Sequence, residues 1–260
     1  MQEAVNYLVS HELLFMLILA RVAAFGVAIP VLDGLTVPLP FKVFLTVSLS
    51  LLLLPMVNRT LPSPELLSVS LALAGEVFMG LMIGFGVRAL FSAVAIGAEL
   101  SGLQMGFGVV TLYNPLSGQA DSVTARLVGM MAIILFFAMN AHHLLIQVLV
   151  LSFARVPFSG VTLSAGLFSH LVVLSGNMFY FGMKIAVPVM ISLLLANGSL
   201  GLLSRLVPQV NIFMTSFAVT IGLGLIVLGA SLSIVAALIQ DQISGLDRTL
   251  IQLTRELGGG

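Results

Sequence analysis

This sequence of 260 residues has few charged residues and no cysteine. Only 8% of its residues are charged, with 10 Lys and Arg against 10 Asp and Glu, so the formal net charge is +0. Because a soluble domain carries about 25% charged residues, this chain lacks the charged surface of a soluble globular enzyme. Without an excess of basic groups to neutralise phosphates, it also lacks the charge signature of a nucleic-acid-binding protein.

The absence of cysteine excludes disulfides, a thiolate nucleophile and cysteine metal sites. His142 and His143 are adjacent, so on a helix their side chains point about 100° apart and do not converge on one metal ion. His170 is alone in an apolar segment, and we expect it to be a hydrogen-bonded core residue. No nucleotide-binding Gly-x-x-x-x-Gly-Lys-Ser/Thr motif occurs. We therefore predict no metal, no cofactor and no enzymatic activity.

Long apolar segments take the place of charge. Hydrophobic residues make up 59% of the chain, and its mean hydropathy is +1.19. A bilayer core of about 30 Å needs about 20 helical residues. The apolar segments are 13–32, 43–57, 66–110, 127–154, 156–183, 189–204 and 210–239.

These segments predict an all-α membrane protein with about six to eight helices. Segment 66–110 is too long for one span, so we expect two helices that meet near Arg88 or Gly97. Lys184 and Pro188 are expected to interrupt the chain between two later segments. Leucines near helical spacing in the polar tail predict an amphipathic helix that ends at Gly258. Turn chemistry predicts loops at 58–65 and 111–124 and a break at 205–209.

The distribution of basic residues does not predict the orientation of the chain in a membrane. One or two Lys or Arg occur in each gap between apolar segments, so the positive-inside rule finds no bias. A chain that partner subunits hold in place would explain this even distribution. Much of the apolar surface is then expected to face other subunits.

Glycines are concentrated between 75 and 108, in two small-xxx-small pairs and at further single positions. Glycine at this spacing removes side chains from one stripe of a helix and lets another backbone approach closely. The contact could lie within the chain or between subunits, and the sequence leaves both open. The candidate packing residues are Gly80, Gly84, Gly86 and Gly102.

Five ionisable residues lie inside apolar segments: Arg21, Glu76, Arg88, Glu99 and Lys184. Each costs at least about 2.5–3.5 kcal/mol at mid-bilayer, so each is expected to be paired, solvated or outside lipid. Arg88 and Glu99 are about 16 Å apart along a helix and cannot pair directly. We favour salt bridges between subunits over a proton or ion pathway, because no segment has the several acidic groups of a relay.

An apolar strip hinged by Gly106 and Gly108 follows the glycine-rich stretch. Glycine adopts backbone conformations closed to other residues, and irregular backbone at membrane depth is tolerated only in a protein-lined or wet cavity. Such a strip is suited to plugging a cavity, although an ordinary interfacial turn is an equal alternative. The candidate plug residues are Gly106, Phe107, Gly108, Tyr113, Asn114 and Pro115.

The sequence resembles the FliR family of flagellar type III export-gate proteins over nearly its whole length. The segments that carry the resemblance are GEVFMGLMIGFGVR (75–88), GLQMGFG (102–108), Asn114-Pro115, Asn140-Ala141-His142-His143 and LSRLVPQVNIF (203–213). Asn114 departs from the aspartate of many relatives, which affects only turn capping. The flagellar branch is favoured over the virulence-secretion branch on overall likeness.

The resemblance implies a subunit of the export gate, in the bacterial inner membrane at the flagellar basal body. Family members assemble with FliP and FliQ, joined by FlhB and FlhA, into a channel for unfolded export substrates. It further implies a FliP-like part (1–184), a FliQ-like helical hairpin (185–240) and an amphipathic tail (241–260). The loop at 106–122 matches the one that contributes a plug to the pore.

Two other classes of function remain open from the sequence. A secondary transporter of small solutes would need a polar site within one chain. An intramembrane protease would need Ser199 as nucleophile, but Asn197 stands where the Gly-x-Ser-x-Gly motif requires glycine.

Overall fold

The computed structural model describes residues 12–30, 37–57, 65–107, 123–158, 160–162, 164–206 and 212–259. In this part of the chain all regular structure is helical, which confirms the predicted all-α class. The helices are α1 (Glu12–Ala28), α2 (Leu39–Leu53), α3 (Leu66–Met105), α4 (Val123–Ala138), α5 (Ala141–Arg155), α6 (Ala165–Leu206), α7 (Ile212–Ser244) and α8 (Leu246–Leu257).

Helix α3 is one continuous helix of 40 residues, so the predicted division near Arg88 or Gly97 is wrong. The segment contains no proline, and Gly80, Gly84, Gly86 and Gly97 lie inside the helix where a neighbouring helix approaches closely. At 1.5 Å per residue α3 is about 60 Å long, twice the thickness of a bilayer core.

Helix α6 is also continuous, and it passes through Lys184 and Pro188 where an interruption was predicted. Proline removes one helical hydrogen bond, but in an apolar setting every broken bond is costly, so the helix continues around it. Ser192 donates its hydroxyl to the carbonyl oxygen of Pro188 at 2.8 Å within this turn.

Two further boundaries differ from the sequence prediction. Helix α2 begins at Leu39, four residues before the predicted segment, because Pro40 in the first turn needs no backbone N–H there. Segment 127–154 is broken between α4 and α5 at Asn140, which has the left-handed φ of 57°.

The described chain contains two compact units. The first comprises residues 1–89, 140–174 and 244–260. In it α1 packs on α2, and α8 packs on α5. The four leucines of α8 that were predicted to share one face are buried, and Ile251, predicted on the same face, is half-buried; Gly258 caps the helix as predicted. The tail helix nevertheless begins only at Leu246, because α7 continues to Ser244.

The second unit comprises residues 90–139 and 175–243. Its core includes the C-terminal part of α3 against α6, with Val94, Ala98, Ile185 and Ala186 buried. Phe91 of α3 and Phe136 of α4 place their rings 5.5 Å apart.

Three helical stretches are long and apolar enough to cross a membrane: Leu66–Met105, Ala165–Leu206 and Ser216–Leu257. The pair α4 and α5 raises the number to four if it counts as one broken span. The chain is therefore a membrane protein, although its longest helices exceed a simple span.

Candidate functional site

An ion pair that is closed to solvent joins α1 and α3 in the first unit. Arg21 donates from Nε to Glu76 Oε2 at 2.5 Å and from Nη2 to Glu76 Oε1 at 2.9 Å, and both side chains are 0% exposed. Two parallel N–H···O bonds give the bidentate geometry in which guanidinium and carboxylate interact most strongly. The structure thus brings together two of the five predicted intramembrane charges, and it does so within the chain.

Helix α5 completes the surroundings of the guanidinium. Nη1 of Arg21 donates to Ser152 Oγ at 3.0 Å, and Nη2 reaches the carbonyl oxygen of Val156 at 3.5 Å. The Phe153 ring lies 4.1 Å from the Arg21 carbon Cζ, a cation–π contact. Burial of a charge is tolerated only when its donors and acceptors are satisfied, and here α3 and the C-terminal end of α5 supply the partners.

The glycine pair Gly80 and Gly84 lies directly against α1. A Cβ on Gly80 would collide with the carbonyl oxygen of Arg21 and would lie 2.9 Å from the Ala24 Cβ. A Cβ on Gly84 would collide with the Ala28 Cβ. The two backbones can therefore approach only because both positions lack a side chain, and this approach brings Glu76 within reach of Arg21.

Gly86 faces a different neighbour. A Cβ there would lie 2.7 Å from the Leu250 Cδ2 and 3.0 Å from the Leu253 Cδ1, both on the apolar face of α8. Since these atoms end flexible side chains, this position is less restrictive than Gly80. It gives the amphipathic tail a flat surface on α3.

In the second unit, α3 crosses α6 at a pair of glycines. A Cβ on Gly97 would lie 2.5 Å from the carbonyl oxygen of Gly182, and one on Gly182 would lie 2.9 Å from the carbonyl oxygen of Ala93. The sequence analysis singled out Gly97 as a possible helix division and did not identify Gly182, which follows it by 85 positions. Gly102 is buried one turn before the end of α3.

The first residues of the predicted plug loop end α3. Phe107 N–H donates to the Gly102 carbonyl at 3.0 Å and Gly106 N–H donates to the Leu103 carbonyl at 3.1 Å, which together form a Schellman motif. Gly106 has φ +94°, a value that favours glycine. Gly106 therefore terminates the helix and does not extend the glycine stripe on its surface.

Helix α7 holds this end of α3 in place. Met105 fills the space beside Gly224, whose added Cβ would lie 2.5 Å from the Met105 Cγ, and the Thr220 hydroxyl reaches the Met105 carbonyl at 3.4 Å. The Phe217 ring lies 3.2 Å from the position of a Cβ on Gly106. The plug residues Gly108, Tyr113, Asn114 and Pro115 lie outside the described residues.

The other predicted charges are placed differently from Arg21 and Glu76. Arg88 is exposed near the middle of α3, and within the described part of the chain no carboxylate pairs with it. Lys184 is exposed in α6 with its Nζ 4.6 Å from the centre of the exposed Tyr180 ring. Glu99 is half-buried and has an interaction within the chain.

The remaining polar candidates do not form a catalytic arrangement in the described residues. Ser199 lies inside continuous α6 and donates to the Leu195 carbonyl at 2.9 Å, so it is not on the sharp strand-to-helix turn of a nucleophile elbow. The rings of His142 and His143 are 4.2 Å apart. His170 was expected to be hydrogen-bonded, but its buried Nε2 has no partner in the described chain.

Known proteins resemble this chain over nearly its whole length. Residues 13–246 match the family described as "Bacterial export proteins, family 1". The flagellar biosynthetic protein FliR of Escherichia coli (strain K12) is 30% identical over 240 residues, which cover 92% of each chain. FliR of Bacillus subtilis (strain 168) is 27% identical over 248 residues, covering 94% of this chain and 95% of the relative. The resemblance to FliR is confirmed, and the chain belongs to the bacterial export proteins of family 1.

Proposed function

We propose that this chain is a core, non-enzymatic subunit of the flagellar type III export gate. In this proposal it forms the channel with FliP and FliQ homologues, with FlhB and FlhA homologues beside them, in the bacterial inner membrane at the flagellar basal body. Unfolded flagellar proteins pass through the channel. The observation that carries the proposal is the relationship to flagellar FliR proteins over 92% of both chains.

The outer faces of α6 and α7 support an assembly of several subunits. Leu194 and Leu195 of α6 are 72% and 67% exposed, and Ile226 of α7 is 70% exposed. Apolar surface of this extent marks contact with lipid or protein. Because α6 is about 63 Å long, a bilayer core of about 30 Å covers only half of it. Helices of partner subunits, including FliQ homologues packed beside the predicted hairpin 185–240, would cover the rest.

Exposed cations on long apolar helices support the same assembly. Arg88 and Lys184 each lie near the middle of a helix, where contact with lipid would cost at least about 2.5–3.5 kcal/mol. Carboxylates of neighbouring subunits would remove that cost. These two residues are therefore the inter-subunit charges in our proposal, whereas Arg21 and Glu76 stabilise the subunit itself.

The plug hypothesis depends on how the loop 106–122 begins. The Schellman motif at Gly106 and the contact of Met105 with α7 hold the end of α3, from which the loop starts. A loop fixed at its base closes a lumen reproducibly and can be displaced by a substrate. In the proposal this loop blocks the lumen until export begins.

Ion leakage tests the plug. Residues 109–121 are replaced by a glycine-serine segment of equal length, which keeps the helix cap and both ends of the loop. The matched control replaces residues 58–64, within the loop predicted from the sequence at 58–65, in the same way. Purified assembled gates in planar bilayers should conduct small ions after the first replacement and remain closed after the second. An assembled gate that stays equally tight after the first replacement would remove the plug hypothesis.

Assembly and phenotype test the wider proposal. Deletion of the gene should leave cells without flagella, and the tagged chain should co-purify with FliP and FliQ homologues. Loss of injected effectors with flagella intact would instead assign the chain to a virulence system. Solute flux through vesicles that contain this chain alone would favour a secondary transporter.

A further inference from the structure

A groove opens between α1 and α2 in the first unit. Its volume is about 410 Å³, within the range of about 300–1,000 Å³ that ligand clefts occupy. Leu19, Ala23, Gly26 and Val27 line it from α1, on one face of that helix. None of the contacts cited above for the export-gate proposal involves the residues of this groove.

Small side chains create the groove while the two helices remain in contact. Gly26 has no side chain, and a Cβ added there would meet only the Thr46 Oγ1, at 3.8 Å. Because α1 and α2 pack against each other, a third helix of about 10–12 Å diameter cannot enter between them. A flexible hydrocarbon chain is narrow enough to do so.

A positive charge marks one part of the groove. Lys42, in the first turn of α2, is the charged residue among the lining side chains, and it is half-buried. The positive end of the α2 dipole lies at the same place. Lys42 also interacts within the chain, but an ammonium has three N–H donors and can bind an additional acceptor.

The rim of the groove is apolar and open to the surroundings. Val27 and Leu39 are 74% and 72% exposed, and Phe41 and Phe44 of α2 are also exposed. Helix α2 has only 15 residues, too few to span a bilayer core. A lipid molecule can therefore reach the groove sideways past these exposed apolar side chains.

We propose that this groove binds an anionic phospholipid. One acyl chain lies between α1 and α2 beside Gly26, and the phosphate accepts hydrogen bonds from Lys42. The apolar lining selects the hydrocarbon chain, and the single cation selects the negative headgroup.

Photolabelling of the protein, purified with its co-purifying subunits, tests the proposal. The probes are phosphatidylglycerol and phosphatidylethanolamine with a diazirine on one acyl chain, and mass spectrometry maps the labelled residues. Phosphatidylglycerol should label residues that line the groove. Gly26→Phe should lose this labelling, whereas Gly26→Ala should keep it because its Cβ makes only ordinary contact. Lys42→Gln should reduce the preference for the anionic probe about fivefold.

Competition between unlabelled lipids and the photoprobe on the unmodified protein tests the proposal even if a variant fails to assemble. Unlabelled phosphatidylglycerol should displace the probe at lower concentration than phosphatidylethanolamine does. Equal competition by the two lipids would overturn the selection of an anionic headgroup. Labelling that never reaches the groove residues, or a photo-crosslink from position 26 to another protein, would overturn the lipid site as a whole.

Discussion

Glu76→Leu removes the carboxylate that accepts two hydrogen bonds from Arg21 and leaves a guanidinium without solvent in the core. Ser152 and the Phe153 ring remain beside it, but neither carries a negative charge. Breaking a buried pair by removing one partner costs about 3–5 kcal/mol. For a chain of this size we expect a melting temperature lower by about 6–20 °C.

Arg21→Met should cost a similar amount, because the Glu76 carboxylate is then buried without its cation. The double variant Arg21→Met/Glu76→Leu should recover most of the loss, since apolar side chains of similar volume replace a buried pair with little or no penalty. With single losses of about 3–5 kcal/mol each and a double variant close to the parent, the coupling should be about 6–10 kcal/mol, above the range of about 0.5–3 kcal/mol usual for residues in direct contact.

Thermal unfolding of the purified chain with its co-purifying subunits measures these differences, and the amount of protein in the membrane gives an independent reading. Arg155→Met is a matched control, because Arg155 is exposed and its side chain donates, among the described residues, to the Ile251 carbonyl alone. If the losses of the two single variants simply added in the double variant, the pair would not be an energetic unit, and the reasoning would be refuted.

Three further changes have definite expected outcomes. Gly80→Ala should lower the free energy of unfolding by about 1–3 kcal/mol, because its Cβ meets the backbone of α1. Gly176→Ala, whose Cβ meets nothing within 4 Å, should be neutral or stabilising. Thermal melts of the two variants measure the difference. Asn140→Val should cost about 1–2 kcal/mol at its φ of 57°, whereas Asn140→Gly should leave the melting temperature unchanged. Ser199→Ala should leave motility intact, and non-motile cells would revive the protease alternative.

The sequence allowed the helical class and the tail helix to be predicted because their signals are local. The tail alternates leucines with charged residues at helical spacing, and Gly258 supplies a cap within one turn. Segment 13–32 likewise contains α1 nearly to its ends. The family resemblance was carried by ordered glycine and asparagine motifs and needed no tertiary information.

Continuity and pairing could not be predicted because they depend on distant residues. Helix α3 continues past Gly97, and the residue whose backbone packs there, Gly182, lies 85 positions further along the chain. Arg21 was recognised as needing a partner, but 55 positions separate it from Glu76, and other carboxylates, such as Asp33 and Glu65, lie between them in the sequence. The proposed functions of Arg88 and Lys184 remain predictions, since their expected partners belong to other subunits.

The ion pair also constrains the order in which the helices can assemble during synthesis. A ribosome that adds about 5–20 residues per second makes Glu76 about 3–11 s after Arg21, and Ser152 about 7–26 s after it. During that interval α1 contains an uncompensated cation in its middle. Helix α1 must therefore remain in contact with water or a chaperone until α3 has been synthesised. Helix α3 then supplies both the carboxylate of Glu76 and the glycine surface against which α1 packs.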